Sequence, residues 1–246
     1  MEYKLSLAGR SNLWFRIRYY WASSPYLFYH AYSSLRYPDN TVSKKTDLLI
    51  EGFGRSGSSF TADSFDISNN NNLSVVRNQK AITGVIKAAK YGIPVLMLIR
   101  EPESVALSYK VMNPKLKFKN IILEYSNYYE RAWHYNNSFI TSTNDQSWER
   151  FDLLVKRLNA NFNTDFSTSF DIKNLSDKVK KYQNEVYQRA YGNTLSESVK
   201  NTFNYPTSEK DKLKKRLISE YRDPKYKLLR EEANSWYEKY KELSSK

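Results

Sequence analysis

The sequence contains no cysteine. Disulfides, thiolate metal centres and a cysteine nucleophile are therefore excluded together, and a reducing, cytoplasmic setting is compatible with this. Histidine is almost as scarce. Only His30 and His134 occur, too few for a multi-histidine metal site. No stretch reaches the ~18 consecutive apolar residues of a membrane span. The amino-terminal region does not read as a signal peptide, because Arg10, Arg16 and Arg18 interrupt it. Internal repeats and long low-complexity linkers are lacking too. The run Ser68–Asn72 (SNNNN) reads as a loop. Acidic residues are in deficit, with 26 Asp and Glu against 39 Lys and Arg, for a formal charge of +13. That balance suits anionic partners, although a surplus of surface lysine also serves solubility alone.

What is present is apolar and aromatic. The 246 residues are 40% hydrophobic, with 21 Tyr, 12 Phe and 5 Trp. That is enough for a sizeable core in one domain over 1–246. Leu13–Tyr37 mixes aromatics with arginines. It fits a helix packed on its own domain, the usual role of an amphipathic stripe. The competing reading is peripheral contact with a membrane surface.

Three short apolar runs have the length and punctuation of buried strands: Asp47–Glu51, Pro94–Ile99 and Ser138–Ser142. Helical patterns fall between them at Ser59–Phe65, Ile82–Tyr91, Ser104–Met112, Phe118–Trp133 and Trp148–Phe162. Alternation of this kind predicts an α/β protein: a short parallel sheet between helical layers, with one or two strands still to be found. The expected organisation is a helical, aromatic-rich segment over 1–45, a core over 46–166 and a helical part over 167–246. Leu229, Ala233, Trp236, Tyr240 and Leu243 form one apolar stripe in the last segment, read as packing. Tyr125, Tyr128, Tyr129 and Trp133 also have helical spacing. Core packing is preferred for them over a sugar-stacking wall. His134 follows at a loop within reach of the site, and His30 is read as structural.

Gly52 to Gly57 spans the G-x-x-x-x-G of a phosphate loop, between an expected strand and an expected helix. The residues that follow are Ser58 and Ser59, where an NTPase needs Lys and then Ser or Thr. ATP chemistry is disfavoured accordingly. Loop N–H groups, the helix amino terminus, the two serine hydroxyls and the fork of Arg55 remain as phosphate ligands. A second element ends a strand at Arg100, starts a helix at Pro102 and places Ser108 two turns along it.

Together these elements resemble the PAPS-dependent sulfotransferases, which use 3′-phosphoadenosine-5′-phosphosulfate as sulfuryl donor. In that family (Pro/Gly)-Lys/Arg-Ser-Gly-Thr/Ser-Thr/Ser binds the 5′-phosphosulfate. Gly54-Arg55-Ser56-Gly57-Ser58-Ser59 corresponds to it. Arg-x-Pro with a serine eight residues after the arginine binds the 3′-phosphate. Arg100, Pro102 and Ser108 match that spacing. A later family strand with a helix after it resembles Ser138–Asn159. The likeness runs from about Asp47 to Phe166 and is nearest the small bacterial type. It implies a P-loop NTPase-like fold, PAPS as donor, PAP as product and no metal. It also implies a hydroxyl or amine acceptor, with a glycan or glycolipid as first guess and no nucleic acid expected. Arg55 would stabilise the leaving phosphate, and Lys80 or Asp63 would lie towards the acceptor. The family's base, a His or Glu, has no counterpart in VVRNQKAITG. The competing classes are a basic module for nucleic acid or polyanions, and a nucleotide kinase with an altered loop.

Overall fold

Strand β1 (Leu48–Gly52) is buried at every position, as is β3 (Val95–Ile99). β3 is an apolar run throughout and β1 is one up to Ile50, the pattern of strands covered on two sides. Strand β4 (Ile140–Thr143) is nearly so. These are the three expected strands, within two residues at each end. The missing fourth is β2 (Val75–Arg77), only three residues long. The computed structural model describes residues 12, 13, 16, 17, 40–77, 79–192 and 208–245.

All strand pairs are parallel and the spatial order is β2-β1-β3-β4. Leu49 lies opposite Val95, Gly52 opposite Leu98, and Ile99 opposite Thr143. Helix α1 (Ser58–Ser68) leads from β1 to β2, and α2 (Ile82–Tyr91) leads from β2 to β3. The chain thus steps outward from β1 to β2 and then back across β1 to β3. The carboxyl ends of β1 and β3 flank the point where the order reverses, where ligands bind in open parallel sheets.

Alternate strand residues enter two separate cores. Leu49, Val95, Met97 and Ile99 face α2, α3 (Pro102–Met112) and α4 (Phe118–Trp133). Leu48, Ile50, Leu96 and Leu98 face α1 and residues of α6 (Phe151–Phe162), which follows the short α5 (Asn144–Glu149). The result is the expected three-layer, P-loop-like α/β arrangement.

From Ile172 onward the described residues are mainly helical. Helix α7 (Ile172–Tyr191) packs on α1, and α8 (Ser208–Tyr221) packs on α3. Helix α9 (Lys227–Ser244) lies on α4 and β4. Its stripe faces inward: Ala233 and Tyr240 are fully buried, and the Tyr240 hydroxyl donates to the Tyr129 carbonyl at 2.9 Å. Of the amino-terminal segment, Asn12 accepts from the Lys117 N–H at 2.9 Å, and Arg16 pairs with Glu124 at 3.7 Å, so these residues rest on α4. The rest of Leu13–Tyr37, with His30 and the surface read as the alternative membrane contact, lies outside the described residues. No described helix is long and apolar enough to cross a membrane.

Candidate functional site

The loop after β1 is built on close approaches. Gly57 caps α1 with φ 99°, and a Cβ there would stand 2.5 Å from Asn144 Oδ1. Gly54 has no room for a side chain: its Cβ would lie 1.8 Å from the Tyr109 hydroxyl and 3.1 Å from Lys80 Cε. Between them Arg55 adopts φ 73°, a left-handed conformation that non-glycine residues rarely take. Backbone strain of this kind costs on the order of 1–3 kcal/mol and collects at functional sites.

Helix α1 begins at Ser58 without a side-chain cap or an acidic residue in its first turn. Its amino-terminal partial charge is therefore not offset by its own side chains. Ser58 is buried and Ser59 half-buried, both in that first turn. Ser56 points inward instead: its hydroxyl donates to the Phe53 carbonyl at 2.6 Å and lies 3.3 Å from the Tyr129 hydroxyl. Ser56 thus shapes the loop from below.

The second element meets the first. Arg55 Nε donates to Ser108 Oγ at 2.9 Å, and the Arg100 guanidinium donates to the Arg55 carbonyl at 3.2 Å. Arg55, Arg100 and Ser108, read from two motifs far apart in the chain, therefore form one cluster at the carboxyl edge of the sheet. Desolvation lowers the pKa of both arginines, and for Arg55 the nearby Arg100 charge adds to that. Tyr125 donates to the Arg100 carbonyl at 2.8 Å, and Tyr129 donates to the Leu98 carbonyl at 2.8 Å while accepting from the Phe53 N–H at 3.2 Å. These tyrosines are core residues whose hydroxyls tie the ends of β1 and β3 together, and they form no sugar-stacking wall.

Asp63 and Lys80 have different partners. Asp63 is buried under α7: Arg77 pairs with one oxygen, and Gln183 Nε2 donates to the other at 2.7 Å. Arg77 also donates to the Ser59 carbonyl at 3.2 Å. Asp63 shares the helix of Ser59, as its spacing predicts, and both its oxygens are engaged. Lys80 has φ 53° and lies against Gly54. His134 ends α4 in an exposed position, in the connection to the amino end of β4. It is on the opposite edge from the loop, and the expectation that it reaches the site fails.

Two groups, Lys210 and Glu51, had no signal strong enough in the sequence. Lys210 of α8 is buried, and its pKa is pushed down to about 7 by desolvation first and then by the charges of Arg55 and Lys214. It belongs to a run of charges, SEKDKLKKR, that reads as a solvated face. Asn144 reaches Gly57 from the end of β4. Glu51 is fully buried beneath the loop, and burial pushes it up to about 8. Among the described residues no three His, Cys, Asp or Glu side chains gather as a metal site.

No protein-family model matches the chain, and no curated protein matches it. Among solved structures it is similar to mouse sulfotransferase SULT7A1 complexed with PAP, at TM-score 0.41 and 11% identity, over 79% of this chain and 90% of that one.

Proposed function

We propose that the chain is a PAPS-dependent sulfotransferase that moves a sulfuryl group to a hydroxyl or amine, on a glycan or glycolipid by the resemblance noted above. The observation that carries this reading is the contact of Arg55 with Ser108 and of Arg100 with the loop carbonyl. Those residues were selected by two independent sequence motifs, and the fold brings them to one place at a switch point.

The chemistry needs little covalent work from the protein. The acceptor oxygen or nitrogen forms a bond to sulfur and gives up its proton to solvent, the bond from sulfur to the bridging phosphate oxygen breaks, and PAP departs with the electron pair. Positioning and charge stabilisation supply the rate, as in phosphoryl transfer. Arg55 neutralises charge growing on the leaving phosphate. The N–H groups of Gly54 to Ser59, with the hydroxyls of Ser58 and Ser59, hold the 5′-phosphosulfate. Arg100 and Ser108 hold the 3′-phosphate. Arg100 spends one of its five N–H donors on the loop. Lys80 faces the acceptor side beside Gly54. Asp63, with both oxygens engaged, serves by fixing α1 under Arg77 and α7 rather than by taking the acceptor proton. No step requires a metal.

Thermal shift tests the reading against its nearest rival. PAP at a hundred times its dissociation constant stabilises the fold by about 2.7 kcal/mol, a rise of several degrees in Tm. ATP with Mg²⁺ gives no comparable rise. A shift and turnover with ATP and Mg²⁺, but no shift with PAP, would support a kinase and overturn the proposal.

A further inference from the structure

Strand β1 carries a carboxyl group into the core. Glu51 is completely buried and points to the same side of the sheet as Leu49 and Phe53. Its Oε2 accepts from the Gly52 N–H at 3.3 Å, the Lys80 N–H at 3.1 Å and the Tyr128 hydroxyl at 3.3 Å. Its Oε1 has no hydrogen-bond partner. That atom lies 3.6 Å from where a Gly84 Cβ would stand, and Gln79 Oε1 lies 2.6 Å from the same point. Gln79 Nε2 donates to the Asn40 carbonyl at 2.5 Å, and its oxygen stands over Gly84. An ionised carboxylate with one oxygen buried and unpartnered is strongly disfavoured. A protonated one fits. Oε2 keeps its three donors, and the unpartnered Oε1 carries the proton.

The same carboxyl reaches the phosphate loop through one residue. The Lys80 N–H is held by Glu51, the Lys80 backbone is left-handed, and the Lys80 side chain lies against Gly54. We propose that Glu51 is a positioning residue: as a neutral acid it ties the turn at 79–80 to the end of β1 and so places Lys80 beside the loop. The link to donor binding rests on the function proposed above, whereas the state of the carboxyl does not.

Few charges face this group. Lys80 bears on it from the turn and favours ionisation. Tyr128 and Tyr129 face it from α4, Met97 lies opposite on β3, and Gly84 is the contact from α2. Burial outweighs Lys80 and holds Glu51 at about 8, against 4.5 for a free glutamate. The folded chain thus keeps a proton that the unfolded chain releases. The stabilisation is complete below about 4.5 and is lost as pH rises to about 8. Within that window each pH unit changes the folding equilibrium by about tenfold.

The test is urea unfolding from pH 5 to 9 for wild type and Glu51→Gln, with PAP affinity measured in parallel by calorimetry. Relative to the variant, wild type should lose about tenfold in its folding constant per pH unit between 6 and 8. Its PAP affinity should change between pH 7 and 9, as the ionised fraction passes half near 8, and the variant should show no such change. Parallel profiles for the two proteins overturn the proposal. If Glu51→Gln does not fold, ¹³C NMR of wild type labelled at its glutamate carboxyls decides. A resonance titrating near 8 that moves upward in Tyr128→Phe supports the assignment, and all glutamates titrating below about 6 sink it. If PAP binds at no pH, the donor reading falls, and the unfolding profiles still decide the role of Glu51.

Discussion

Gly54 shows how tightly single residues define this site. The Tyr109 hydroxyl and the Lys80 stem occupy the space that any side chain at position 54 would need. Gly54→Ala should therefore push Tyr109 and the loop apart, at a cost of about 1–3 kcal/mol for overpacking. Donor binding should weaken along with stability. Removing the hydroxyl in Gly54→Ala/Tyr109→Phe should restore part of both, as read by urea denaturation and PAP titration; a double variant no better than the single one contradicts the packing account. Tyr129 acts from below the loop. Its hydroxyl joins the Leu98 carbonyl, the Phe53 N–H and Ser56. Tyr129→Phe leaves buried polar groups unpaired and should cost about 1–3 kcal/mol in equilibrium unfolding. A change of a few tenths would show that these bonds are not needed.

At the scale of elements, α1 and α7 are joined by a buried polar contact. Asp63 receives Arg77 and Gln183, and Arg77 is itself only partly exposed. Asp63→Ala leaves the guanidinium and the amide without this partner. The expected loss is on the order of 3 kcal/mol, while Asp63→Asn keeps the shape and loses less. If Asp63 instead served as the acceptor's base, Asp63→Asn would abolish transfer with stability nearly intact, so turnover and unfolding measured together separate the two roles. The elements also show what was legible beforehand. β1, β3 and β4 announce themselves because a doubly covered strand is a short apolar run between breaks. β2 does not, because three residues between an asparagine-rich turn and a loop carry no period. The cluster of Arg55, Arg100 and Ser108 was readable from spacing at strand ends. Glu51 and Lys210 were not, since burial of a charged residue depends on which helix later covers it. The same limit applied to His134, whose reach was decided by the direction of α4.

For the whole molecule, the charge of +13 is the feature that most invites a different reading. Binding of polyanions through surface lysines would fall steeply with salt, by about 10³ or more between 50 and 200 mM for six or more phosphate contacts. A half-buried cluster is screened far less. PAP affinity should therefore drop by roughly tenfold or less over that range, and added oligonucleotide should not displace PAP at 200 mM salt. Competitive displacement there would favour a general anion surface. Loss of one positioned arginine should lower transfer by about 10² to 10³, as for other groups that stabilise developing negative charge. The most direct measurement is calorimetric titration of PAP into wild type and Arg100→Ala at neutral pH. The account predicts saturable one-to-one binding by wild type and binding at least tenfold weaker in Arg100→Ala, the equivalent of about 1.4 kcal/mol. Equal affinity in the two proteins, or no binding in either, would contradict it.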